Sequence, residues 1–138
     1  MASELHWLGI SEFKAALDHV VSEASAAARN AVAEVAHAIQ REAMQNASGR
    51  PGPNVGTGTL RRGIVVEPLR PWGLGGWQTR VGPTVKYGRR VELGFTGRDS
   101  RGRNYNQAPY PYFEPAYRSG VRRLPEIFAK HWRRALGF

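Results

Sequence analysis

The sequence predicts an α+β fold: a long N-terminal helix packed on a small, mostly antiparallel sheet of three to four strands, with a kinked C-terminal helix beside it. Three observations carry this. Apolar residues recur at steps of three and four from Phe13 to Ile39. Short stretches between residues 63 and 93 alternate apolar and polar side chains. Helical spacing then returns after Pro115. Two helical periods flanking alternating segments describe helices covering a sheet.

The first helix is placed from Ser11, which can cap it, with Glu12 near the positive end of its dipole. Its stripe runs through Phe13, Leu17, Val20, Ala24, Ala28, Val32, Val35 and Ile39, with no internal Gly or Pro. It should end near Asn46, a length of roughly 50 Å at ~1.5 Å per residue. That is long for a 138-residue chain, so part of it should project or pack on another subunit. Residues 1–10 read as an N-terminal arm, with Leu5, Trp7, Leu8 and Ile10 following no clean period. Residues 11–138 read as one α+β domain with flexible loops at 47–59 and 96–107, the first rich in Gly and Pro and the second polar.

Strands are expected near Gly63–Pro68 and Trp77–Val81, paired as a hairpin, and a third near Lys86–Leu93, where Val85, Tyr87, Val91 and Leu93 share one parity. The block Pro109-Tyr110-Pro111-Tyr112-Phe113-Glu114-Pro115 is too stiff for a helix until Pro115, which suits a first helical turn. Tyr112 and Phe113 read as core or interface aromatics. Tyr117, Val121, Leu124, Phe128, Trp132 and Leu136 form the stripe of the last helix, which Pro125 should kink or divide.

The net charge of +9 is unevenly distributed. Residues 1–46 hold three basic and six acidic side chains, a balance of −3. Residues 47–138 hold 17 basic and five acidic ones, a balance of +12. Arginine supplies 17 of the 20 basic residues, which favours bidentate contacts with carboxylates and phosphates. A basic half of this kind implies nucleic acid or an acidic protein surface as partner. There is no cysteine, hence no disulfide framework and no thiolate site. The start of the sequence lacks the pattern of a signal peptide, and no apolar run approaches a membrane span, so an intracellular, non-membrane protein is expected.

No enzyme site assembles from the sequence. His6, His19, His37 and His131 show no metal-ligand spacing, and no H-E-x-x-H or G-x-S-x-G occurs. The glycine-rich run from Gly56 to Arg61 lacks the P-loop lysine. Asp18 and Asp99, the two aspartates, lie far apart. No cofactor or metal is expected, and no catalysis.

Three blocks occur in a telling order: Gly58-Thr59-Leu60-Arg61-Arg62-Gly63-Ile64, then Val81-Gly82 with Tyr87-Gly88-Arg89-Arg90-Val91-Glu92-Leu93-Gly94, then Pro109 to Ala116. With a helix before and a helix after, the chain over about residues 11–136 resembles the small neck or minor-tail-component family of long-tailed bacteriophages, which act at the head–tail junction. Gly63 stands where that family usually has serine, and Gly88 where it has alanine. The resemblance marks Gly58, Leu60, Tyr87, Glu92, Gly94, Pro111, Phe113 and Pro115 as family-motif positions. Glu92 reads either as a partner for a nearby arginine or as a solvent-facing strand residue, and Gly94 as a sharp turn after the strand.

The resemblance implies a virion structural protein, assembled in the host bacterial cytoplasm. It would form a homo-oligomeric ring, sixfold in first place and twelvefold in second, between a portal-side connector and tail-tube or terminator proteins. Arg61, Arg62, Arg98, Arg101 and Arg103 are the candidate subunit or ring contacts, facing acidic protein surfaces. DNA would pass nearby without specific binding, because many phosphate contacts would retard it. The competing reading is a basic nucleic-acid-binding module, with Arg103, Asn104 and Tyr105 contacting phosphates and stacking on bases. A small nuclease using His131 is a third.

Overall fold

The computed structural model describes the backbone of residues 2–137 and the side chains of residues 9–137. The order of elements is α1 (Ala2–Asn46), α2 (Thr59–Arg62), β1 (Ile64–Val66), β2 (Arg70–Trp72), β3 (Gly76–Gln78), β4 (Val81–Pro83), α3 (Gly88–Leu93), β5 (Phe95–Arg98), β6 (Asn104–Gln107) and α4 (Glu114–Leu136). The fold is α+β, with two long helices and short antiparallel strand pairs.

Helix α1 is the spine. Its 45 residues span about 68 Å at ~1.5 Å per residue, longer than the stripe alone predicts. It begins at Ala2, so the expected arm of residues 1–10 is helical from that point. The side chains of Leu5, Trp7 and Leu8, which prompted that expectation, lie outside the described residues. Helix α4 runs antiparallel along the C-terminal part of α1: Tyr112 lies near Asn46, Gly120 against Ile39, and His131 beside Glu34. The core between them is built from small residues. Ala31, Ala43 and Ala116 are fully buried, with Val35, Ile39 and Ile127 nearly so. A Cβ on Gly120 would lie 2.3 Å from Ile39 Cγ1, so the absent side chain is what lets the two helices approach.

The β segment departs from the expected single sheet. Three separate two-stranded antiparallel pairs form: β1 with β4, β2 with β3, and β5 with β6. Pro68, Pro71 and three glycines fold residues 64–83 back twice, giving an inner pair nested inside an outer one. The expected strand at Trp77–Val81 is thereby divided between β3 and β4. The outer pair is fixed to α1 by Gln40, whose amide donates to the Ile64 carbonyl at 2.9 Å. The inner pair rests on α1 through Trp77, whose indole donates to Ser25 Oγ at 3.1 Å, with the Arg29 guanidinium over its ring.

Two further expectations are corrected. Residues 88–93 are helical, not a strand. Tyr87 and Val91 are four apart, so the same residues satisfy a helical face, and six residues are too few to separate the two periods. A strand with that parity would bury Leu93, which is 62% exposed; instead Gly88 is buried and Val91 packs on the core. Residues 96–107 contain a β-hairpin, not a structureless loop. The connection at 47–59 is irregular, with Gly52 and Pro53 buried. Helix α4 carries Pro115 in its first turn and continues through Pro125 as one element, so it does not divide.

Candidate functional site

The best-defined constellation surrounds the start of α4. Helix α3 presents Glu92 to the backbone of the proline-aromatic block. One carboxylate oxygen accepts from the N–H groups of Tyr112 and Phe113, both at 2.9 Å, and the other accepts from Glu114 N–H at 2.9 Å. These are N–H groups that a helix start leaves without intrahelical partners, and an anion there also meets the positive end of the helix dipole. A cap is ordinarily supplied by the residue just before the helix. Here the N-cap residue is Phe113, whose side chain has no oxygen, and the acceptor comes instead from Glu92, 20 to 22 residues upstream of the N–H groups it binds. Glu92 is therefore neither an arginine partner nor a solvent-facing strand residue.

Tyr112 completes the joint. Its side chain is fully buried, its hydroxyl donates to the Gly88 carbonyl at 3.1 Å, and its own carbonyl accepts from Asn46 Nδ2 at 3.0 Å. Burial, reinforced by the Glu92 carboxylate and then Tyr87, pushes its hydroxyl pKa up to about 12. A Cβ on Gly88 would lie 2.9 Å from Pro83 and 3.0 Å from that hydroxyl. One residue of each of α1, α3 and α4's lead-in thus meets at a single point.

The motif positions divide between two places. Gly58, Leu60 and Tyr87 line one open hollow of about 200 Å³, together with Arg61 and Val91. Glu92, Gly94, Pro111, Phe113 and Pro115 gather around the α4 start. Gly94 has φ +75°, and a Cβ there would lie 2.8 Å from the Gln107 carbonyl oxygen, so it marks the close return of the hairpin.

The candidate contact arginines sit on two elements. Arg61 and Arg62 lie on α2, donating to Ser48 Oγ and the Thr57 carbonyl. Arg98, Arg101 and Arg103 lie on the β5–β6 hairpin, where Asp99 organises the turn. Its carboxylate accepts from the backbone N–H of Arg101 and Arg103, from Arg103 Nε at 2.6 Å, and from the Tyr105 hydroxyl. The Arg103 backbone N–H is the largest cause holding the Asp99 carboxyl below its ordinary range. Arg98 Nε donates to Asn104 Oδ1. Two of these three guanidinium groups therefore already have partners within the hairpin, and Tyr105 packs near Phe95 with its hydroxyl engaged.

His131 ties the long helices together. Its Nε2 lies 2.7 Å from Glu34 Oε2, while Lys130 Nζ donates to Glu34 Oε1 at 2.6 Å. The hydrogen bond from Lys130, then that from His131, lowers the Glu34 pKa. Among the described residues no group of His, Asp and Glu side chains is placed to hold a metal ion, and no helix is long and apolar enough to cross a membrane.

Helices clamped by a carboxylate and closely apposed small residues, with a long α1 extending beyond them, define a small α+β fold. The sequence of residues 11–94, more than half of the chain, matches the HK97-gp10-like family, described as "Bacteriophage HK97-gp10, putative tail-component". The chain belongs to that family, and so is a tail-associated structural component of bacteriophage type that works among other phage structural proteins in the virion. No curated protein and no solved structure matches it.

Proposed function

We propose that this chain is a subunit of the bacteriophage head–tail connector, a neck or tail-completion ring that joins heads to tails without catalysing a reaction. The observation that carries the reading is α1. A tail-component subunit that exposes Ile10, Phe13, Leu17, Val20 and Val21 along one projecting helix has surface for a neighbour, not for its own core. A sixfold ring is the first expectation and a twelvefold ring the second, between a portal-side connector and tail-tube or terminator proteins. Of the candidate arginines, Arg101 is the one we assign first to those neighbours, since the guanidinium groups of Arg61, Arg62, Arg98 and Arg103 already donate within the chain.

The test is a nonsense allele in the phage, examined by electron microscopy, together with native mass measurement of the purified protein. Free filled heads beside free tails, and restoration by added protein, are expected. Normal particles from the mutant would overturn the reading. A monomer that binds duplex DNA with a steep salt dependence would instead favour the nucleic-acid module.

A further inference from the structure

The apolar stripe of α1 steps by three and four through Ile10, Phe13, Leu17, Val20, Ala24, Ala27 and Ala31 without interruption. Its inner end is covered: Ala27 and Ala31 are buried. Its outer end is open, with Phe13 65% and Leu17 48% exposed. The chain's own α4 cannot cover it, because α4 ends at Leu136, with Arg134 and Ala135 facing Glu23, Ala26 and Ala27. Among the described residues no second helix covers this outer part of the stripe.

Among the described residues, α4 carries a further exposed apolar face. On α4, Tyr117, Val121 and Phe128 stand outward, one step round from Ala116, Gly120 and Ile127, which face the core. Charge decides which surfaces meet. The projecting part of α1, Ile10 to Val21, carries Glu12 and Asp18 against Lys14, a balance of −1. Helix α4 carries six basic and two acidic ones, a balance of +4. Pairing the projecting part of α1 with its own copy opposes like charges, whereas pairing it with α4 of another copy opposes unlike ones.

We infer that the projecting part of α1, Ile10 to Val21, docks on the outer face of α4 of a second copy of this chain. Two different surfaces of one chain then meet, so the contact is head-to-tail. Each added copy leaves one projecting helix and one α4 face free, until the series closes as a ring. This deepens the connector reading and rests on it for closure.

The chain has no cysteine, which makes the test direct. Leu17→Cys and Val121→Cys subunits are prepared separately, mixed and oxidised, alongside native mass measurement of the unmodified protein. Expected is an oligomer whose mixed sample forms covalent dimers roughly tenfold above either variant alone, as a contact between two unlike surfaces requires. Self-linking of Leu17→Cys would overturn the inference in favour of paired projecting helices. An oligomer that forms no Leu17–Val121 link would overturn it while leaving the ring standing. A monomer at all concentrations would remove both. Circular dichroism identical to that of the unmodified protein verifies that each variant is folded.

Discussion

Helix α1 inverts the usual distribution of side chains along its length. Where it is covered, the buried residues are mostly alanine, at positions 27, 31, 36 and 43. Where it projects, the stripe is made of Ile10, Phe13, Leu17 and Val20, all at least 40% exposed. Along this helix most of the larger apolar groups are outside, and of those inside only Val35 and Ile39 exceed alanine in size. The inner half therefore gains stability from close approach to α4 and from the larger groups packed on it, Ile64, Tyr112 and Ile127. The outer half buries little against its own subunit and leaves its apolar area exposed.

The largest effect should come from the clamp that orients α4 on that inner half. Glu92→Ala removes the acceptor for three backbone N–H groups and should cost about 2–4 kcal/mol, read as a lowered urea midpoint. Glu92→Gln, with one oxygen left to accept, should fall between. A change within ±0.5 kcal/mol for Glu92→Ala would place the joint's stability elsewhere. Close to this in size, Gly120→Val should cost about 2–3 kcal/mol by forcing Ile39 and the helices apart, against the ~0.3 kcal/mol of helix propensity that replacing glycine by valine returns.

The Glu34 triad should give a smaller, pH-dependent effect. Its folded-state pKa lies below its unfolded one, so its contribution is complete above the unfolded value and disappears as pH falls through the folded value. Glu34→Gln should flatten that acid limb of the stability profile. The loss at neutral pH should be only ~0–1 kcal/mol, because Lys130 and Glu34 are both more than a third exposed. The smallest effect on the subunit belongs to the outer half. Leu17→Ser and Phe13→Ser should change its unfolding free energy by no more than about 0.5 kcal/mol, read from thermal unfolding at dilution. A large loss there would mean that the projecting helix supports its own fold, and the contrast between the halves would collapse.

The two long helices were legible in the sequence because many turns of three-and-four spacing leave no competing period, and Pro115 falls in the first turn of α4 as its fixed φ requires. Helix α3 was misread because Val85, Tyr87, Val91 and Leu93 satisfy alternation as well as a short helical face. The β5–β6 hairpin was missed because its polarity masked a real cue: Phe95 and Tyr105 flank a turn whose Asp99 can gather nearby N–H groups. Glu92 stood out by motif, but its role did not. Its partners lie 20 to 22 residues away, and a cap supplied across such a distance leaves no local spacing to read.

The close return at Gly94 has an evolutionary consequence. The chain leaves for the hairpin at Gly94 and comes back at Pro109 beside it, and the Tyr110 N–H then closes on the Val91 carbonyl at 2.8 Å. Everything between hangs from one gate, so insertions and deletions there add only a slowly growing closure entropy. The family match stops at residue 94, where that segment begins. The length of the hairpin can therefore change at little cost in closure entropy while Glu92 continues to hold the frame.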